Sequence, residues 1–357
     1  MKVLFIISSL NTGGAEKILS TIANYLDMIG HTITIITVSN DKPFFNINSS
    51  VELKQLGLSQ PKKGLLYRIN HIPMLINILK NNILQINPDV VISFMSEMNI
   101  LSIVASKLAS KPIIVSERSA YDFLDIKPFW KKIRKIVYPF TDALVVLTDT
   151  DKEKYQFVKN VYKIENPLVL KQNHSNIKRE NIILGVGRLN TVKGFDMLIK
   201  AFQKIEKEEW KLIIVGEGVE RKNLESLIQE LDLVARVELV GMVKDVEYFY
   251  KRASIFVLSS RTEGFPGVLC EAMGYGCSVV SFDCPSAPRE IITHKIDGLL
   301  VEAENIDKLS DEIKMLTEYT NKREKLGENA KKIVNTLSID KVVNKWLKVI
   351  ENRLEKI

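Results

Sequence analysis

Residues 255–282 read Ile-Phe-Val-Leu-Ser-Ser-Arg-Thr-Glu-Gly-Phe-Pro-Gly-Val-Leu-Cys-Glu-Ala-Met-Gly-Tyr-Gly-Cys-Ser-Val-Val-Ser-Phe. Ile255–Leu258 and Ser278–Phe282 are short apolar runs rich in β-branched residues, bounded by polar ones. Such runs are strands buried on both faces of a parallel sheet. Pro266–Tyr275 lies between them and reads as a helix. A proline suits the first helical position, where its missing N–H would be unpaired anyway. Strand, helix, strand at this spacing is a βαβ unit, the building block of an open parallel sheet with helices on both faces.

The same alternation extends in both directions. Upstream in the second half, strands are expected at Ile182–Val186, Lys211–Val215 and Val237–Val240, and downstream at Gly298–Val301. Helices are expected at Phe195–Glu206, Glu220–Leu231, Asp245–Arg252, Ile306–Glu318 and Asn321–Asn335, with a last one from Ser338. The first half repeats the scheme. Its strands are Val3–Ser9, Thr32–Val38, Val90–Phe94, Ile113–Ser116 and Ala143–Leu147, and its helices include Ala15–Met28, Leu75–Asn82 and Ile100–Ala109. The segment from Asn166-Pro167 to Glu180 is polar and weakly patterned, which puts a boundary there. The expected domains are 1–166 and 167–337, followed by a terminal helix, 338–357.

Bulk composition agrees with this division. The chain has 357 residues, 46% apolar and 26% charged, which are globular values. At about 100–200 residues per domain the length suits two domains. No apolar stretch approaches the roughly 18–20 residues that span a bilayer. The opening Met-Lys-Val-Leu-Phe-Ile-Ile reads as a buried first strand, not a secretory signal. Cys270, Cys277 and Cys284 form no Cys-x-x-Cys pair, and only four histidines are present. Buried reduced thiols in a cytoplasmic protein follow, rather than a zinc site. The net charge is +7, and residues 1–166 hold 20 Lys and Arg against 14 Asp and Glu. A basic first domain implies a polyanionic partner: an anionic membrane, a pyrophosphate lipid or nucleic acid.

Several constellations carry candidate chemistry. In Glu263–Glu271, a helix starting at Pro266 leaves the N–H groups of Gly267, Val268 and Leu269 free for a phosphate. Glu263 sits in the loop before that helix, and Glu271 about one and a half turns into it. One carboxylate can then face a sugar ring and the other a ribose. An ordinary helix cap with two solvated glutamates is the competing reading. Gly13-Gly14 opens the helix from Ala15 and lets a phosphate or acceptor approach its N-terminus, unless it is a simple tight turn. It is not Gly-x-Gly-x-x-Gly, which argues against a dinucleotide cofactor. Glu16 orients an acceptor or complements the helix dipole. Asp149-Thr150-Asp151 matches a metal-binding Asp-x-Asp, but its place before a helix favours capping. Lys127-Pro-Phe-Trp-Lys-Lys-Ile-Arg-Lys135 sets Phe129 and Trp130 beside five cations, a composition suited to an anionic membrane surface or to a solvated basic helix. Lys62, Lys63 and Arg68 add charge in the same domain. No nucleic-acid recognition module is visible, so nucleic acid is not an expected partner.

Glu-Gly-Phe-Pro…Glu-Ala-Met at 263–273 resembles the signature of the large retaining glycosyltransferase family 4. Gly187-Arg188-Leu189 with Lys193-Gly194 resembles its phosphate-binding segment, and Gly216-Glu217-Gly218 and Val240-Gly241 fall in the family's order. Asn11-Thr-Gly-Gly-Ala-Glu16 and Ser116-Glu117-Arg118-Ser119 are similar to the bacterial subgroup that builds lipid-linked oligosaccharides and surface polysaccharides. That subgroup includes enzymes adding N-acetylgalactosamine in N-glycan assembly. The resemblance covers essentially the whole chain. It implies the GT-B fold: two Rossmann-like domains with parallel sheets facing across a cleft, the first binding acceptor and the second a nucleotide sugar, with the terminal helix, 338–357, crossing back to the first.

The resemblance also implies roles. Glu263, Arg188, Lys193 and Glu117 are the expected catalytic residues. Gly187, Gly216, Gly241, Gly267, Val268, Leu269 and Glu271 are expected to bind the donor, and Gly13, Gly14, Glu16 and Arg118 the acceptor. Many relatives carry histidine where Arg118 stands, so its role is not carried over directly. Arg188 and Lys193 make physical sense as fixed cations beside a diphosphate leaving group that gains charge in the transition state. Neither a metal nor another cofactor is then expected. The implied donor is a UDP-sugar and the acceptor a polyprenyl-diphosphate-linked glycan at the inner membrane face. A sugar-nucleotide epimerase on the same fold and a non-catalytic subunit binding nucleotide sugar or lipid are the alternatives.

Overall fold

A computed structural model describes residues 1–58, 65–123, 127–170, 178–285 and 287–355. Lys62, Lys63 and part of the expected linker, 171–177, lie outside the described residues. The chain divides into two compact units, Met1–Pro167 with Ile339–Ile357, and Leu168–Ser338.

In the first unit the order is β1 (Lys2–Ile7), α1 (Gly14–Met28), β2 (Thr32–Thr37), β3 (Glu52–Gln55), α2 (Leu65–Ile86), β4 (Val90–Phe94), α3 (Ser96–Leu108), β5 (Ile113–Ser116), α4 (Pro128–Val137), β6 (Ala143–Val146), α5 (Asp149–Lys154) and β7 (Val161–Lys163). The second unit contains β8 (Glu180–Val186), α6 (Phe195–Gln203), β9 (Lys211–Val215), α7 (Arg221–Glu230), β10 (Val237–Gly241), α8 (Glu247–Arg252) and β11 (Ala253–Leu258). It continues with α9 (Gly267–Gly274), β12 (Ser278–Asp283), α10 (Pro288–Ile291), β13 (Leu299–Glu302), α11 (Ile306–Glu318), α12 (Thr320–Ala330) and α13 (Ile333–Thr336). The last helix, α14 (Ile339–Leu354), belongs to the first unit.

Both sheets are parallel throughout. Among the described residues the first runs β3-β2-β1-β4-β5-β6-β7 and the second β10-β9-β8-β11-β12-β13. In each, the order reverses beside the first strand, at β1/β4 and at β8/β11. Side chains there alternate between two buried layers. Val3, Phe5 and Ile7 pack with Ile18, Leu19 and Ile22 of α1 and Val342, Val343 and Trp346 of α14. Leu4 and Ile6 face Leu75, Leu79 and Ile83 of α2 instead. In the second sheet Leu212 and Ile214 belong to one layer and Ile213 and Val215 to the other. Burial on both faces is why these strands read as continuous apolar runs.

The structure differs from the sequence reading at five places. β3 and β7 are half-exposed edge strands, Glu-Leu-Lys-Gln and Val-Tyr-Lys, with no apolar run to mark them. α2 is 22 residues long and passes through Pro73, which reads as a helix boundary in sequence. The charged segment expected as one helix over Asn321–Asn335 is two, α12 and α13. Helix α9 starts at Gly267, with Pro266 as its N-cap in a non-helical conformation, φ −75° and ψ 89°.

Candidate functional site

The second unit's site is built where β8 and β11 lie side by side and their following segments diverge, the switch point at which open parallel sheets bind ligands. After β8 a single turn, Thr191–Lys193, is capped by the Asn190 side chain, which accepts from the Lys193 N–H at 3.2 Å. Gly194 follows at φ +63°, and a Cβ there would stand 2.1 Å from the Ser259 carbonyl oxygen. Glycine alone lets this turn lie against the loop leaving β11. Ser259 Oγ donates to the Lys193 carbonyl at 3.0 Å, and the Arg261 N–H to Val192 O at 2.8 Å. The Arg261 guanidinium forms a fork with the Asp196 carboxylate, at 3.1 and 2.9 Å.

These contacts bring together two residues 70 positions apart: Lys193 Nζ lies 2.6 Å from Glu263 Oε1. Ser260 Oγ donates to the same oxygen at 2.6 Å. Glu263 is 8% exposed, so its charge is held by these partners more than by water. The stem of Lys193 crosses Gly187, where a Cβ would sit 3.4 Å from Lys193 Cγ and Cδ. Arg188, next along, is exposed and makes no ion pair among the described residues.

The expected donor glycines stack their loops closely. Gly187 N–H donates to Val215 O at 3.0 Å, and Gly216 N–H to Gly241 O at 2.9 Å. Gly216 sits at φ +148°, and a Cβ there would fall 1.9 Å from Gly187 O. Gly241 is at φ +87°. At the start of α9, Leu269 departs from expectation: its N–H donates to Pro266 O at 3.0 Å, and its side chain is fully buried. The later helix start places Pro266 O within reach of that N–H. Gly267 and Val268 have no backbone acceptor among the described residues. Glu271 is half-buried and accepts at Oε2 from the Tyr250 hydroxyl, 3.1 Å away. Tyr250 was not singled out from sequence.

In the first unit, Gly13 N-caps α1, and a Cβ on it would meet Glu16 Oε2 at 2.0 Å. Glu16 therefore folds back over the start of its own helix, complementing the dipole there. Gly14 has open space around it. Glu117, expected among the catalytic groups, is 2% exposed. Ser96 Oγ donates to both of its oxygens, at 2.9 and 2.8 Å, and the Tyr138 hydroxyl to Oε1. Burial raises its pKa, and the bonds from Tyr138 and Ser96 partly oppose this. Its carboxylate lies inside the unit. Arg118 donates to Asn166 Oδ1 at 2.9 Å, with its guanidinium 4.7 Å from the Phe94 ring centre and 5.5 Å from that of Trp346. Burial lowers its pKa to about 9, against the pull of Glu117, and leaves it a cation at neutral pH.

Asp149-Thr150-Asp151 is a helix start: Thr148 N-caps α5 and accepts from the Asp151 N–H at 3.0 Å. Among the described residues no group of three or more His, Cys, Asp or Glu is arranged to hold a metal. The three cysteines are free and buried, and burial raises each thiol's pKa. On α4, Lys131, Lys132, Lys135, Phe129 and Ile136 are exposed. Arg134, counted from sequence among the surface cations, is buried: it donates to Tyr155 Oη at 3.2 Å and lies over the Tyr121 ring. Trp130 packs against the core on the same face. No described helix is long and apolar enough to cross a membrane.

Comparison with known proteins places this geometry in context. Residues 169–333 match the family Glycosyl transferases group 1, and residues 12–165 match Glycosyltransferase Family 4. A Campylobacter jejuni enzyme is 33% identical over 98% of both chains. It is named GalNAc-alpha-(1->4)-GalNAc-alpha-(1->3)-diNAcBac-PP-undecaprenol alpha-1,4-N-acetyl-D-galactosaminyltransferase. The amylovoran biosynthesis glycosyltransferase AmsD of Erwinia amylovora is 27% identical, over 97% of this chain and 98% of its own. Among solved structures, Anabaena HepE in complex with UDP superposes with a TM-score of 0.81 at 19% identity, over 99% of this chain and 100% of its own.

Proposed function

The chain belongs to glycosyltransferase family 4, and from that premise we propose that it moves a hexose or N-acetylhexosamine from a UDP-sugar onto a polyprenyl-diphosphate-linked glycan, with retention at the anomeric carbon. The observation that carries the reading is the Lys193–Glu263 pair at the β8/β11 switch point, with Glu271 on the helix that follows. The Campylobacter relative's lipid-linked acceptor and the UDP bound to Anabaena HepE support the two substrate classes.

In this reading the acceptor hydroxyl oxygen bonds the anomeric carbon on the face from which the diphosphate leaves. The glycosidic C–O bond breaks with its electron pair on the phosphate oxygen, and that diphosphate takes the acceptor proton, so no separate enzyme base is used. Lys193 carries three donors; Glu263 engages one, leaving others for the leaving group. Arg188 adds a second cation, and both stabilise charge that grows only as the bond breaks. Glu263 accepts hydrogen bonds from the donor sugar, and Glu271 from the ribose. The N–H groups of Gly267 and Val268 meet the diphosphate, and Gly187, Gly216 and Gly241 let it come close to the backbone. No divalent metal takes part.

The first unit supplies the acceptor side through Gly13, Gly14, Glu16 and Arg118, and Glu117 acts from beneath by holding the loop that carries Arg118. The enzyme works peripherally on the inner face of the membrane. α4 supports this, with exposed Phe129 and Ile136 beside Lys131, Lys132 and Lys135. Mass spectrometry of donor consumption across UDP- and GDP-sugars, in EDTA and with an undecaprenyl-diphosphate glycan, tests the reading. Transfer from a UDP-sugar supports it, whereas strict dependence on added magnesium or manganese overturns metal independence.

A further inference from the structure

We infer that Tyr250 is a positioning residue for the nucleotide, its hydroxyl fixing the plane of the Glu271 carboxylate that receives the ribose. The inference rests on the assignment of Glu271 to the ribose made above. Tyr250 lies within α8, is 1% exposed, and donates to Glu271 Oε2 at 3.1 Å. Packing accounts for the ring but not for the hydroxyl. The ring stacks on Tyr275, centroids 5.8 Å apart and planes 14° from parallel, and leans on Phe256 at 6.0 Å. A phenylalanine would make the same contacts. A buried phenol needs an acceptor, and this one has the oxygen of a carboxylate on the neighbouring helix.

The frame behind the bond is rigid. The Arg179 guanidinium donates to Tyr250 O at 3.2 Å and also to the carbonyls of Ala253 and Tyr275, tying the end of α8 to the end of α9. Burial, followed by the charge of Glu271, pushes the phenol's pKa well above 10, so the group remains a donor at working pH. A vicinal diol is held best when both carboxylate oxygens lie in its plane. An unrestrained glutamate carboxylate turns freely about its last torsion. Fixing Oε2 from behind removes that freedom before the nucleotide arrives, which lowers the cost of ordering on binding.

The test is a double-mutant cycle on the full chain, with UDP affinity read by calorimetry for wild type, Tyr250→Phe, Glu271→Ala and the double variant. Tyr250→Phe keeps the ring, so the fold survives; thermal melting checks this. The expected result is UDP binding weakened about three- to tenfold by Tyr250→Phe in the wild-type background, less than the full worth of one hydrogen bond to a charged group because the bond acts through Glu271 and not on UDP, and not at all in the Glu271→Ala background. Discrimination between UDP and 2′-deoxy-UDP should fall in Tyr250→Phe, a change that a merely structural hydroxyl would not cause. If Glu271→Ala weakens UDP but Tyr250→Phe does not, or if the two effects add, the positioning role is overturned and the ribose assignment stands. If Glu271→Ala binds UDP as wild type does, the ribose assignment itself fails and takes the inference with it.

Discussion

Replacing Glu263 by glutamine removes one charge and almost no volume, and its consequences for fold, binding and turnover should separate. The carboxylate accepts from Lys193 Nζ and from Ser260 Oγ, both at 2.6 Å. An amide oxygen has lone pairs for both donors but carries no charge, so the charge-assisted bond from the Lys193 ammonium gives way to a weaker one, a loss bounded by about 1.5–3 kcal/mol. The Lys193 side chain is 23% exposed, so the ammonium hydrates in part and the loss falls toward the lower end, about 2 kcal/mol. At about 2–4 °C per kcal/mol for a unit of this size, Tm should drop by about 4–8 °C. Lys193, no longer facing a carboxylate, presents its charge more fully to a diphosphate. UDP affinity should therefore hold or improve. Turnover should fall about 100-fold, because an acceptor poised for the sugar in the transition state is gone. Differential scanning fluorimetry, calorimetry with UDP and initial rates with the full donor give the three numbers. Parallel losses in UDP affinity and in kcat/KM would refute the division of labour between Glu263 and Lys193.

Gly216→Ala should cost at least about 2 kcal/mol and UDP binding with it, since its Cβ would fall 1.9 Å from Gly187 O at φ +148°; urea denaturation and calorimetry check both. Glu117→Gln should become progressively more stable than wild type as pH rises above 4.5, because burial raises the folded carboxyl's pKa and only the unfolded chain ionises at first. Urea midpoints between pH 4.5 and 7 measure it, and a constant gap would contradict the burial argument. Replacing Lys131, Lys132 and Lys135 together by Gln should weaken sedimentation with anionic vesicles by about 3 kcal/mol at low salt without changing UDP affinity. Arg134→Gln should instead destabilise the fold, because its guanidinium is buried against Tyr155 and Tyr121.

Sequence made the sheets legible wherever strands are covered on both faces. Val3 through Ile7 is an unbroken apolar run because odd positions meet α1 and α14 while even ones meet α2. β3 and β7 escaped because an edge strand with one wet face needs no such run. Periodicity alone could not separate Arg134 from its lysine neighbours, although its position between Ile133 and Val137 on the helix face carried the signal. The same holds for the burial of Glu117: a carboxylate at a strand end gives no sign in sequence that the Ser96 and Tyr138 hydroxyls close around it. The Lys193–Glu263 contact spans 70 positions and was not legible in sequence, where family resemblance marked the two residues only separately. Tyr250 left no sequence signal at all, since a tyrosine on a short helix is an ordinary core residue until its hydroxyl is located.

The central claim is retaining transfer from a UDP-sugar, and the anomeric configuration of the product tests it most directly. The chain, in EDTA, would be incubated with an α-linked UDP-hexose or UDP-N-acetylhexosamine and an undecaprenyl-diphosphate glycan, and the new linkage read by NMR. An α-linked product is expected, formed by wild type and about 100-fold more slowly by Glu263→Gln. A β-linked product would mean inversion, and with it a separate base that the front-side mechanism at Lys193 and Glu263 does not provide.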